Sequence, residues 1–229
     1  MNTPKLSPRL LAAADLVRPM ATLADVGTDH AYLPIYLCKL GKIRSAIASD
    51  INEGPVERAK INIASHSLAR KISVKLTDGL SGLREYSPTD IVICGMGGEL
   101  IISIISAAEW TKDKSLRLIL QPMTHADKLR AYLIGAGFSI IEERLAKEEK
   151  VYQIICAEYS GESAEYSPIE LIFGKQNIER GGEELRAYAE YVRSVFEVRL
   201  LGKQKAGSDT SEEESMLSGI DQLLMKKGR

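Results

Sequence analysis

Between residues 22 and 159, short apolar runs alternate with longer amphipathic stretches, and this alternation restricts the fold more than any other feature of the chain. The runs are Leu23–Val26, Ala46–Ser49, Ile72–Leu76, Ile91–Cys94 and Leu116–Leu120. Several are nearly continuous, as strands buried on both faces of a parallel sheet are. The stretches between them, Tyr32–Leu40, Val56–Ser67, Glu99–Ala108 and Ala126–Ile134, predict helices. Strand–helix alternation implies right-handed βαβ units and a doubly wound, mostly parallel sheet. Two further strands are predicted at Ser139–Leu145 and Val151–Tyr159. Only Ala146–Lys150 separates them, too few residues for a crossover helix, so the pair must be antiparallel. A first helix is expected from Ser7-Pro8, with Ser7 as N-cap, and Pro19 should end it.

The pattern changes near residue 160. Ser160-Gly161-Glu162-Ser163 reads as a linker, dividing a domain over 1–160 from an arm over 166–229. Ser167-Pro168-x-Glu170 is a capping box, and Gly181-Gly182 breaks the chain. Leu185, Ala189, Val192, Phe196 and Leu200 repeat at spacings of four and three, as in a coiled-coil seam. A turn is expected over Gly202–Thr210, then a last helix capped by Ser211 with Leu217, Ile220, Leu223 and Leu224 inward. The arm thus predicts an antiparallel helical hairpin.

Charge offers no shortcut to function. The net charge is −1, so the basic excess that many nucleic-acid-binding proteins show is missing, although a local patch is compatible with it. Cys38, Cys94 and Cys156 are odd in number and widely spaced, which weighs against a disulfide framework or a zinc site. No apolar stretch approaches a membrane span and none opens the chain, so a cytoplasmic protein with no membrane and no metal partner is expected.

Chemistry is expected where the strands end, because open α/β sheets bind ligands at the carboxyl ends of their strands. The first end is Asp25-Val26-Gly27-Thr28-Asp29-His30-Ala31. It lacks the glycines of a dinucleotide fingerprint, and Asp29 would repel a pyrophosphate. Asp29 is either the cap of the next helix or a carboxylate set for a cationic ligand. Asp50 ends the second strand 23 residues beyond Gly27, near the spacing at which an acid grips a ribose diol. Asp78-Gly79 ends the third, where a carboxylate can accept from an adenine amino group. Gly95-Met96-Gly97-Gly98 ends the fourth and bares backbone at the rim. Gln121-Pro122 ends the fifth and offers both a donor and an acceptor. The spacing of the three histidines forms no ligand set, and neither a nucleophile elbow nor a phosphate-binding loop is present.

These motifs resemble the bacterial tRNA (adenine-22-N1)-methyltransferase family within the class I S-adenosylmethionine-dependent methyltransferases. The matching strings are Leu6-Ser7-x-Arg9-Leu10, Ala24 to Pro34 through Asp29-His30-Ala31-Tyr32-Leu33, Asp78-Gly79, Gly95-Met96-Gly97-Gly98 and Leu118-Ile119-Leu120-Gln121-Pro122. The resemblance implies a Rossmann-like sheet, S-adenosyl-L-methionine as cofactor and a tRNA adenine as substrate. It implies cofactor contacts from Asp25, Gly27, His30, Asp50, Asp78, Gly79, Gly95, Met96 and Gly97. Asp29 and His30 would serve the methyl transfer. Arg9, expected near the first strand end, would meet the substrate with Tyr32, Gly98, Gln121 and Pro122. Arg186 and Arg193 on the arm would meet the tRNA, although the interleaved Glu190 and Glu197 favour solvated i,i+4 pairs. Gly95-Met96-Gly97-Gly98 replaces the Asn/Asp-Pro-Pro-Tyr of many amino-group methyltransferases, so an aromatic clamp must come from elsewhere, such as Tyr32. Two alternatives are an NAD-dependent oxidoreductase on the same sheet and a non-catalytic nucleotide-binding module that dimerises through the arm. A monomer or weak homodimer is expected.

Overall fold

The computed structural model describes residues 3–225. Seven strands form one sheet in the order β3-β2-β1-β4-β5-β7-β6. They are β1 (Thr22–Val26), β2 (Ser45–Asp50), β3 (Ile72–Leu76), β4 (Asp90–Met96), β5 (Arg117–Pro122), β6 (Phe138–Lys147) and β7 (Val151–Tyr159). Strands β1 to β5 are parallel, and β7 runs antiparallel to both β5 and β6. The last strand in sequence is therefore inserted between β5 and β6. From β1 the chain winds outward to β3 and returns to place β4 beside β1, so the strand order reverses between them. Ligands bind above such a switch point.

Alternate residues of the central strands enter different cores, which is why their sequences are apolar throughout. Val92 and Ile119 face α1 (Pro8–Leu16), α2 (Tyr32–Lys39) and α3 (Glu53–Ser65), whereas Ile91, Ile93, Leu118 and Leu120 face α4 (Gly98–Ser106) and α5 (Ala126–Gly135). The edge strand β3 does not follow this rule, and its Leu76 is exposed.

The arm contains α6 (Pro168–Phe173), α7 (Lys175–Arg180), α8 (Glu183–Ala206) and α9 (Ser211–Met225). The Ser167–Glu170 capping box is present. Leu185, Ala189, Val192 and Phe196 of α8 close on Phe173, Met216 and Ile220. Three local expectations need correction. Gly202 lies inside α8 and opens no turn; the turn begins at the left-handed Gly207. Ser7 occupies the cap position of α1, but its hydroxyl makes no capping bond. Ser211 is the first residue of α9, and its own N–H is taken by Asp209.

The arm is also fastened firmly to the sheet. Arg130 of α5 and Glu143 of β6 form a fully buried pair at 2.6 Å. Arg130 also donates to the Leu171 carbonyl of α6 at 2.8 Å and to Gln153 at 2.6 Å. Glu143 accepts from the Gln176 N–H, and its carbonyl accepts from Arg180.

Candidate active site

At the end of β1 the chain turns because the N–H groups of Gly27 and Thr28 both donate to the Ser49 carbonyl, at 2.8 and 2.9 Å. Gly27 has φ +78°, and a Cβ there would lie 2.1 Å from Met96 Cε. A side chain at this position would therefore be both strained and obstructed. Thr28 does the work one would assign to a helix cap: its hydroxyl accepts from the Ala31 N–H at 3.1 Å, and Ala31 opens α2 in a left-handed conformation. Asp29 is thus not the cap. The buried Asp25 has its pKa raised to about 6 by desolvation, against the lowering effect of the Thr28 hydroxyl. A carboxylate so placed changes its charge between about pH 5 and 7, and a cation beside it would be welcomed.

Asp29 is more than half exposed and is held from two sides. Arg58 of α3 donates to Oδ1 at 2.9 Å through Nε, and His30 Nε2 lies 3.2 Å from Oδ2. Asn62 fixes the loop by donating to the His30 carbonyl at 2.6 Å. The His30 and Tyr32 rings stack with centroids 5.0 Å apart and planes 18° from parallel. Asp29, His30 and Tyr32 therefore form one unit at the rim. Arg58 carries no local motif, and its place beside Asp29 depends on how α3 packs.

Asp50 accepts from both the N–H and the side-chain amide of Asn52 through Oδ1, at 2.8 and 3.2 Å. Those contacts fix the carboxylate and leave Oδ2 for a ligand. After β3, Asp78, Gly79 and Leu80 face Leu100 and Ile104 of α4 across a cleft. Leu80, Leu100 and Ile104 beside one carboxylate suit a flat base with an exocyclic amine.

The fourth strand end is tied to the fifth. The Met96 carbonyl accepts from the Met123 N–H at 2.8 Å, and the Gly98 N–H donates to the Thr124 carbonyl at 2.8 Å. A Cβ on Gly98 would lie 2.4 Å from the His125 carbonyl, so only glycine lets these loops meet. Met96 then bridges back over Gly27. The loop of three glycines is a junction as well as a bare surface.

Two expected positions are corrected. Gln121 is fully buried, and its amide is used within the protein: Oε1 accepts from Arg9 and from the Gly95 N–H, each at 3.1 Å, and Nε2 donates to the Pro122 carbonyl at 2.9 Å. It braces the loop, with no amide free to read a substrate. Arg9 is engaged by the fourth and fifth strand ends, through Gln121, with its guanidinium 5.2 Å from the Tyr152 ring centroid and its backbone N–H on Glu148. Pro122 is buried but borders the space between the rim and the arm. On the arm, Arg186 pairs with Glu190 at 3.1 Å, while Arg193 pairs with Glu197 and with Asp221 of α9, both at 2.7 Å. The i,i+4 pairs of the alternative reading are present, and Arg193 also ties α8 to α9. Among the described residues no cluster of three metal-ligating side chains occurs, and no helix is long and apolar enough to cross a membrane.

Residues 6–155 match the family described as a methyltransferase domain. The chain is 38% identical over 175 residues to the tRNA (adenine(22)-N(1))-methyltransferase of Bacillus subtilis (strain 168), covering 76% of this chain and 74% of that one. The chain belongs to the tRNA (adenine-22-N1)-methyltransferase family. A candidate tRNA (m1A22) methyltransferase of Streptococcus pneumoniae, solved with S-adenosyl-L-methionine, superposes with a TM-score of 0.86 at 33% identity, over 96% of this chain and all of that one. The M. capricolum family member, solved with S-adenosyl-homocysteine, gives 0.81 at 25% identity over 96% and 97% of the two chains. Likeness of that extent includes the helical arm. It also selects the methyltransferase reading of the sheet over the dinucleotide one.

The rim suits the cofactor of this family on its own chemistry. Asp25, Asp50 and Asp78 stand at the ends of three strands that are adjacent in the order β1, β2, β3. They offer an acidic partner for a cation, an acceptor for a diol and an acceptor for an amine.

Proposed function

We propose that this protein transfers a methyl group from S-adenosyl-L-methionine to N1 of adenine 22 in tRNA. The row of three carboxylates at adjacent strand ends, in a chain of this family, carries the proposal. Asp50 would hold the ribose hydroxyls, Asp78 the adenine amine, and Gly27, Gly79, Gly95, Met96 and Gly97 would shape the bed. The bound cofactor supplies an electrophilic methyl on a sulfonium.

The work left to the protein is alignment and charge. Adenine N1 has a lone pair and needs no prior deprotonation, so the chain must present N1 in line at near-attack distance. Positive charge passes to the base, and a preorganised carboxylate at the rim favours it throughout. Asp29 is that carboxylate, braced by Arg58 and His30, and it can also accept from the adenine N6 amine. His30 stands ready to take the proton that the methylated base sheds. Tyr32, stacked on His30, extends the platform toward the base. N1 lies on the pairing edge, so the adenine must leave its helix to reach this rim.

The tRNA substrate and three free thiols support a cytoplasmic enzyme, and the proposal takes it to act as a monomer or weak homodimer. The test is incubation with unmodified tRNA transcripts and labelled S-adenosyl-L-methionine, followed by nucleoside analysis and mapping. N1-methyladenosine at position 22 is the expected product. A folded protein that binds the cofactor yet yields no methylated adenosine would refute the proposal.

A further inference from the structure

A second cleft lies between the rim and the arm, and the methyl-transfer chemistry does not use it. It encloses about 280 Å³, bounded by the loop after β5, the β6–β7 turn and the N-terminal half of α8. His125 and Asp127 line it from the loop, Lys150 and Tyr152 from the turn, and Tyr188 and Tyr191 from α8. Its loop wall is continuous with the glycine loop, because Met123 and Thr124 bond to Met96 and Gly98. A strand leaving the transfer position across Met96 therefore meets this cleft next.

We infer that the cleft is a subsite for one unpaired nucleotide flanking the methylated adenine, stacked on Tyr191 with its phosphate toward Lys150. The inference rests on the proposed tRNA methylation. Tyr191 is 64% exposed, a large flat ring presented on α8. Such rings bind bases by stacking, whatever the sequence. Lys150 Nζ lies 5.0 Å from the Tyr152 centroid and supplies the cation at the mouth, whereas Arg9 beside the same ring is held by Glu148.

Tyr188 adds a directed donor. Arg130 donates to Gln153 Oε1 at 2.6 Å, and Gln153 Nε2 donates to the Tyr188 hydroxyl at 3.1 Å. The phenol oxygen thus serves as an acceptor on the Gln153 side, and its proton is left for a base. Burial pushes this phenol up to about 12, so the proton stays in place. Asp127 is the carboxylate on the wall. It keeps phosphate from that side and can accept an exocyclic amine, which favours adenine, cytosine or guanine over uracil.

The test uses full-length protein and tRNA transcripts bearing 2-aminopurine beside the target adenine. The expected result for Tyr191→Ala is a KM for tRNA raised about 5- to 100-fold, the range for a lost stacking contact. S-adenosylhomocysteine affinity should be unchanged, and 2-aminopurine quenching should be lost. Tyr191→Phe should restore both KM and quenching. Lys150→Gln should reduce the salt dependence of binding by about one phosphate contact. Wild-type KM and intact quenching in Tyr191→Ala would overturn the subsite while leaving the proposed activity standing. A wild-type protein that binds cofactor but does not methylate tRNA would overturn both. Quenching by a free dinucleotide equal to that by tRNA would assign the cleft to a small nucleotide ligand instead.

Discussion

At the junction with the arm, each nitrogen of the Arg130 guanidinium has an acceptor, whereas at the rim the buried Asp25 has only the Thr28 hydroxyl to support its charge. Both are charged groups inside one sheet, yet their surroundings differ in kind. The junction answers charge with charge and with carbonyls, so the pair is fixed. The rim leaves an acid desolvated, bares glycine backbone and holds Ala31 and His125 in left-handed conformations. Strained or underserved positions of this sort gather where a ligand completes the site. Stability has been placed behind the site, and unfinished electrostatics in it.

The largest effect should come from breaking the junction. Glu143→Ala leaves Arg130 buried beside an empty partner position, which costs about 3–5 kcal/mol. Urea unfolding should report that loss, and a change below about 1 kcal/mol would mean the junction is dispensable. Next is the rim: Asp29→Asn should lower kcat by about one to three orders of magnitude, as for other lost electrostatic groups, with an unchanged melting temperature. Arg58→Ala separates the two roles of Asp29. If the carboxylate serves only that ion pair, both variants will turn over alike.

Asp50→Ala should weaken S-adenosylhomocysteine binding by about 10- to 100-fold in calorimetry, the scale of a hydrogen bond to a charged group. Equal affinity would remove Asp50 from the site. The smallest effect concerns pH. With Asp25 raised to about 6, the ionised fraction climbs between pH 5 and 7, so affinity for a cationic cofactor should rise by up to about tenfold and then level off. Stability moves the other way. The folded state holds this proton above the ordinary aspartate value of 3.8, so stability falls as pH rises from there to about 6. Asp25→Asn should flatten both profiles. A pH-independent wild-type affinity would place Asp25 outside the reach of the ligand.

Much of the site could be read along the chain because its parts are local. Gly27, Asp50, Asp78-Gly79 and Gly95 to Gly98 follow strands whose apolar runs are continuous, and a sheet of that kind must bring its strand ends to one rim. What could not be read were partners from distant segments. Arg58 reaches Asp29 from 29 residues away, and Glu148 reaches Arg9 from 139. Gln121 looked open because a loop glutamine is usually wet; it is buried because α1 and the glycine loop close over it. Gly202 looked like a break because glycine disfavours helices by only about 1 kcal/mol, which the seam of α8 outweighs.

By itself the sequence determined the βαβ succession, the antiparallel final pair, the carboxylates at the strand ends and the helical hairpin of the arm. Each follows from periodicity or spacing within a few turns of chain, where backbone geometry leaves little choice. Only the tertiary structure decided that β7 lies inside β6, that Arg9 serves the fourth and fifth strand ends, and that Arg130 and Glu143 fasten the arm so that Tyr188 and Tyr191 face the rim. Those outcomes depend on which distant surfaces bury each other, and a buried charge must find its partner in space, wherever that partner stands in sequence.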